Sequence, residues 1–256
     1  MRGGAPTNRS VNPLPIPGRW LRKPRTARST TIAGAEPAAG TDHATAALGR
    51  RVFEPVTALL DLLTAALCAA AGIHLFAQRT HAIPLVLWAA MLLTIAAAGV
   101  GGAVKHAFFA TLETPVRRAV WRATFYAGGL GSSLLLAALI LLRLPAPGHT
   151  ALLTVVAVEF AAFAVWVTDK PDYRSVMLHY LPTGGAAVAV LLFTAWTPYT
   201  PWILAAAAAA AAAGAVQTRT IVPHRQFNHN DLAHALTLPA FWCLYRAGAL
   251  IAGGAS

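Results

Sequence analysis

The chain has 256 residues, 57% of them hydrophobic and 11% charged, with a formal net charge of +11. Soluble domains carry about 25% charged residues, so this composition excludes an ordinary water-soluble fold. Windows of about 20 nearly uncharged residues match the thickness of a hydrocarbon core instead.

The chain opens on "MRGGAPTNRSVNPLPIPGRWLRKPRTARSTTIAGAEPAAG", rich in Pro, Gly, Ser and Thr. It holds Arg2, Arg9, Arg19, Arg22, Lys23, Arg25 and Arg28 and no acidic residue before Glu36. Such a segment buries too little apolar surface to fold, so residues 1–50 are predicted to be a disordered basic cytoplasmic tail and residues 51–256 a transmembrane helical domain. No apolar run follows the early basic residues, which argues against a secretory signal peptide; an organellar transit segment or a start codon set too far upstream fits the same composition. No folded basic platform accompanies the tail, so nucleic acid is not expected as a partner. Membrane lipids are, since each Lys or Arg near an anionic surface adds about 1 kcal/mol.

Apolar runs bounded by charge, Pro or Gly predict an all-α, polytopic bundle of seven transmembrane helices, over 55–77, 84–109, 119–142, 150–168, 175–196, 201–218 and 230–251. The sixth run is the weakest, because its core "LAAAAAAAAAGAV" is alanine, which allows close helix approach but transfers poorly into lipid. Loop charge sets the orientation. With the N-terminus inside, one side receives the tail, Arg50, Arg51, Lys105, Arg117, Arg118, Arg122, Lys170, Arg174, Arg219 and Arg225, and the other only Arg79, Arg143 and Arg246. That places the N-terminus in and the C-terminus out. Usage rich in Ala and Arg suggests a bacterial genome and hence a plasma-membrane location.

Several side chains are redundant to this frame. Cys68 and Cys243 form no zinc-knuckle spacing and read as small packing residues. "GGLGSS" at Gly128–Ser133 lies inside an apolar run without strand context, so it reads as helix packing rather than a phosphate loop. Trp88, Trp121, Trp166, Trp196, Trp202 and Tyr199 fall near span ends and are expected to anchor at the interface.

Ionisable groups inside spans are expensive and mark function by default. Glu54 and Asp61 fall in the cytoplasmic third of the first span, His106 at the inner end of the second, His179 about one turn into the fifth, and His229, Asp231 and His234 at the start of the seventh. Glu159, midway along the fourth, could reach toward them. On a regular helix Asp231 and His234 lie about 60° apart and share a face with Asn230, whereas His229 and His234 lie about 140° apart. The same residues have a plainer use: Asn228 or Asn230 as N-cap, and Asp231 at the positive end of the helix dipole. The chemical use is a metal site, because neutral imidazole and carboxylate oxygen suit zinc, which in catalytic sites keeps three protein ligands and one open position. His106, His234 and one of His229 or Asp231 are the candidate ligands, with Asp61 or Glu159 as orienting carboxylate or general base.

A His closing the second span in "GGAVKHAFF" and a polar, His-bearing start to the seventh in "NHNDLAHAL" resemble the CREST superfamily of seven-helix membrane proteins, which includes alkaline ceramidases and progestin and adipoQ receptors. The resemblance spans about 51–251. It implies a metal-dependent hydrolase of lipid amide or ester bonds, with zinc held by one histidine of the second helix and two of the seventh. His106 matches the former and His234 the later of the pair; the residue four before His234 is Asn230, with His229 one step away. The alternative from another class is a non-catalytic membrane sensor or small transporter, in which Asp61, Glu159 and the histidines form a proton or ion relay.

Overall fold

A computed structural model describes residues 54–78, 82–224 and 227–254; the basic tail expected over residues 1–50 lies outside the described residues. Among the described residues, seven helices are long and apolar enough to cross a membrane. They are α1 (Pro55–Ala77), α2 (Ile83–Phe108), α3 (Thr114–Arg143), α4 (His149–Asp169), α5 (Tyr173–Leu192), α6 (Thr200–Arg219) and α7 (His229–Gly253), with a 3-10 turn at Ala146–Gly148 before α4. No strand occurs among the described residues. The all-α, polytopic reading holds, and the alanine-rich sixth run forms a full helix although it is among the least apolar of the seven.

Pro stands in the first turn of α1, α2, α3 and α6, where its missing N–H costs nothing and its fixed φ suits a helix start. This explains the largest departure from the predicted boundaries. The third span, expected from 119, begins at Thr114, because Pro115 starts the helix upstream of Arg117, Arg118 and Arg122. Hydropathy alone places the boundary after the charges; the backbone starts at the proline.

α1 packs on α2 and α7, α2 on α3, α3 on α4 and α5, and α6 on α7, while α5 touches α6 only sparsely. α4 is the least buried helix. Lipid is as apolar as leucine, so close packing and small residues hold such a bundle together. The inward stripe of α1 shows how the site is placed. Thr57, Asp61 and Thr64 begin it, and Ala65, Cys68, Ala71, Gly72 and Leu75 continue it. One face is therefore polar at its first two turns and apolar beyond. α2 presents the matching surface, with Leu85, Trp88, Leu92, Ala96, Gly99 and Gly102 leading to His106 at its end.

The apolar half is well filled by Leu75, Trp88, Met91, Leu92, Leu139 and Leu191. Trp88, expected at the lipid interface, is instead fully buried and donates its ring N–H to the Leu244 carbonyl at 3.0 Å. A buried indole N–H needs an acceptor, and the neighbouring helix supplies one. Trp196 (67% exposed) and Trp166 (51% exposed) do remain on the outside. Cys68 and Cys243 are free thiols.

Candidate metal centre

Three helices bring Asp61, His106 and His234 together at the end of the bundle that the loop charges assign to the cytoplasm. One donor atom from each, a carboxylate oxygen and two ring nitrogens, lies within 4.8 Å of the others. Asp61 stands two turns into α1, His106 one turn from the end of α2, and His234 two turns into α7. The two imidazole rings are 5.9 Å apart and inclined at 73°.

Each imidazole faces a carboxylate through Nδ1. His234 Nδ1 is 2.9 Å from Asp61 Oδ1, and His106 Nδ1 contacts Glu54 Oε2. Both Nε2 atoms make no hydrogen bond among the described residues, which leaves them available to a ligand. Asp61 Oδ2 is buried with no hydrogen-bond partner. A Cβ placed at Gly102 would lie 2.6 Å from that oxygen; only glycine lets the carboxylate nest against α2. The side chains of Asp61 and His106 are 6% and 11% exposed and that of His234 is 32% exposed, so the cluster opens on the His234 side.

Glu54 and Lys105, beside this cluster, both have partners. The hydrogen bond from His106 holds the Glu54 carboxyl below the usual carboxylate range against the opposing effect of burial. The charges of His106 and Lys105 and the Asn230 side chain act in the same direction. The Lys105 ammonium lies 3.5 Å over the Trp121 ring, whose N–H reaches the Pro171 carbonyl at 3.1 Å. A bare cation is thus kept beside the acids on an aromatic face.

The other candidates fall elsewhere. Asp231 is occupied: Oδ1 accepts from the Thr57 hydroxyl at 2.5 Å and Oδ2 from the Asn228 N–H at 2.8 Å, while Asn228 Oδ1 accepts from the Asn230 and Asp231 N–H groups. This is a capping box. His229 is the first residue of α7 and stands outside the three-residue group. Glu159 stands in a second cluster. Its Oε1 is 2.8 Å from His179 Nδ1, and His179 Nε2 is 2.7 Å from Ser132 Oγ and 3.0 Å from the Gly129 carbonyl. The His179 ring stacks on Phe163 at 4.2 Å and is 1% exposed. "GGLGSS" makes this possible, since a Cβ at Gly129 would lie 2.2 Å from the Phe163 ring. A shallow hollow of about 670 Å³ lies on the outer face of α4, lined by Val158, Ala161 and Val165 among others, and holds none of the candidate residues.

Sequence reasoning sorted Glu54 by depth without giving it a role, and left Thr57 unremarked. Glu54 carried a signal: it immediately precedes the Pro that starts the first span, at the level of His106. Thr57 carried none.

Seven apolar helices of spanning length fit a multi-pass membrane protein, and the Asp–His–His cluster at one end is a group of the kind that could hold a metal ion. Residues 56–252 match the family of unknown function DUF6962, and the chain belongs to that family. No curated protein and no solved structure matches it.

Proposed function

We propose that the protein is a metal-dependent membrane hydrolase, CREST-like in layout, acting on amide or ester bonds of lipids from a site beneath the cytoplasmic headgroups of a bacterial plasma membrane. The observation that carries this reading is the convergence of Asp61, His106 and His234, with both Nε2 atoms free and Asp61 Oδ2 buried and unpartnered. In a low-dielectric setting an unpaired carboxylate oxygen costs several kcal/mol, and a cation offsets that cost. Tetrahedral zinc with bonds of about 2.0–2.1 Å needs donors about 3.3 Å apart, and one donor atom of each residue already lies within 4.8 Å of the others. When bound, such an ion acts as a Lewis acid toward a carbonyl and brings the pKa of water toward neutrality. The chain's own residues do the rest. Glu54 and Asp61 hold the imidazoles, Lys105 adds positive charge beside them, and the exposed edge of His234 gives substrate its approach.

Metal analysis of detergent-purified protein tests the reading. About one zinc per chain is expected in the wild type, with loss in His106→Ala and His234→Ala and loss of lipid amide or ester hydrolysis alongside. Protein without stoichiometric metal would overturn it. A second reading, a sensor or small transporter with a proton or ion relay, is favoured by the Glu159–His179 pair, a carboxylate and imidazole joined inside the bundle. It predicts no bound metal and an altered ion flux in Asp61→Asn reconstituted in vesicles.

A further inference from the structure

We propose that Glu54 is the positioning residue of the metal site, fixing the tautomer of His106 and tying the start of α1 to the end of α2, two of the helices that carry the donors. The inference rests on the metal reading above for its purpose, and on independent geometry for its content.

Glu54 sits at the N-cap of α1, just before Pro55, and acts on His106 twice. Its carboxylate takes the Nδ1 side of the ring. An imidazole that donates from Nδ1 has its lone pair on Nε2, the atom with no partner here; a freely rotating ring would divide its population between tautomers and orientations. The backbone N–H of Glu54 also donates to the His106 carbonyl at 3.0 Å. That carbonyl belongs to the last turn of α2, where main-chain oxygens have no partner within their own helix. Side chain and main chain of one ligand are thus both held by one residue of the adjoining helix.

The same residue also starts the helix that carries Asp61. Its carbonyl accepts the Ala58 N–H at 3.0 Å, closing the first turn of the helix that carries Asp61. Glu54 therefore links α1 and α2 at the level of the cluster, while Asn230, one turn before His234, is held by Gln217 of α6 at 2.7 Å. A helix cap needs only one backbone contact, and a cap preference would favour Ser, Thr, Asp or Asn here. The longer Glu reaches past its own helix to the ring.

The test uses the full chain in detergent, with zinc affinity measured by competition against a chelator and the His106 tautomer read from ring ¹⁵N shifts in zinc-free protein. Wild type should show His106 protonated at Nδ1, and Glu54→Ala should show mixed tautomers with zinc affinity about 10–100-fold weaker. Glu54→Asp, which keeps the carboxylate, should recover part of both. Where Glu54→Ala fails to fold, Glu54→Leu, which fills similar space without an acceptor, decides, with the same weakening expected. Unchanged affinity in Glu54→Leu or Glu54→Ala, or mixed tautomers already in the wild type, would overturn the proposal. If the wild type binds no zinc, the hydrolase reading fails on that measurement, while the tautomer still decides the role of Glu54.

Discussion

The clusters around His234 and His179 are built from the same materials, an imidazole and a carboxylate brought together from different helices, yet they are finished differently. In the first, one donor atom from each of Asp61, His106 and His234 lies within 4.8 Å of the others, and Asp61 Oδ2 is buried without a protein partner. In the second, both ring nitrogens of His179 already face Glu159, Ser132 and the Gly129 carbonyl, and the ring is stacked against Phe163. Glu159 Oε2 is also buried and unpartnered, but one oxygen cannot hold an ion without further donors. Polar groups in a membrane are glue when their partners are all protein and candidates for ligand binding when several are left open at one point. Counting free valences separates the two; counting histidines does not.

The largest expected effect breaks the comparison if it fails. Replacing a donor by alanine at Asp61, His106 or His234 should lower zinc affinity by more than the roughly 10–100-fold that loss of an outer hydrogen-bond partner costs. His179→Ala should leave zinc stoichiometry unchanged while costing about 1–2 kcal/mol of stability through a lost interhelical contact. Elemental analysis and thermal melts of the four variants give the answer, and loss of metal in His179→Ala would merge the two clusters into one functional unit.

Acidification comes next. Metal ligands must be deprotonated, so protons compete with zinc for His106 and His234. Affinity should fall as the pH is lowered, by up to about 100-fold per pH unit where each of the two imidazoles takes up one proton in the free protein. Chelator competition over the acid range measures the slope. A flat profile through it would mean that the imidazoles are not the donors.

The two glycines sharpen the contrast further. In Gly102→Ala the new Cβ would fall 2.6 Å from Asp61 Oδ2, and in Gly129→Ala 2.2 Å from the Phe163 ring. The first should cost metal affinity with little change in melting temperature, because a carboxylate can rotate away. The second should cost stability, about 1–3 kcal/mol for overpacking, with metal retained, because the Phe163 ring is confined against His179. Gly184→Ala, with nothing within 4 Å, serves as the control for both.

How much of this was legible beforehand follows from what a sequence encodes about a helix. Hydropathy gives each residue a depth, which is why seven spans could be drawn and why Asp61, His106, His179 and His234 could be placed toward one side. It gives the facing of residues on one helix relative to each other, so Asp231 and His234 could be paired. It does not give the rotation of one helix against the next, which is what sends Glu159 to His179 and leaves Asp61 with His234. Trp88 failed for the same reason: its position near a span end was readable, and its inward direction was not. Glu54 was sorted by depth, but it acts on another helix and partly through its main chain, so a side-chain inventory of the spans gave it no role.

The smallest effect concerns Asp231, where the plain use and the chemical use of one residue part company. Its two oxygens are taken by Thr57 and by the Asn228 N–H. Asp231→Ala removes the capping box and leaves the Thr57 hydroxyl without its acceptor, a loss of about 1–2 kcal/mol. Asn228→Ala removes the other half of the box and should cost about 1 kcal/mol. Both variants should melt earlier than the wild type and still carry one zinc per chain, since neither touches a free donor. Loss of the ion from Asp231→Ala alone, with Asn228→Ala retaining it, would mean that Asp231 leaves its cap to bind metal, and that the open valence at Asp61 is not the one the cation uses.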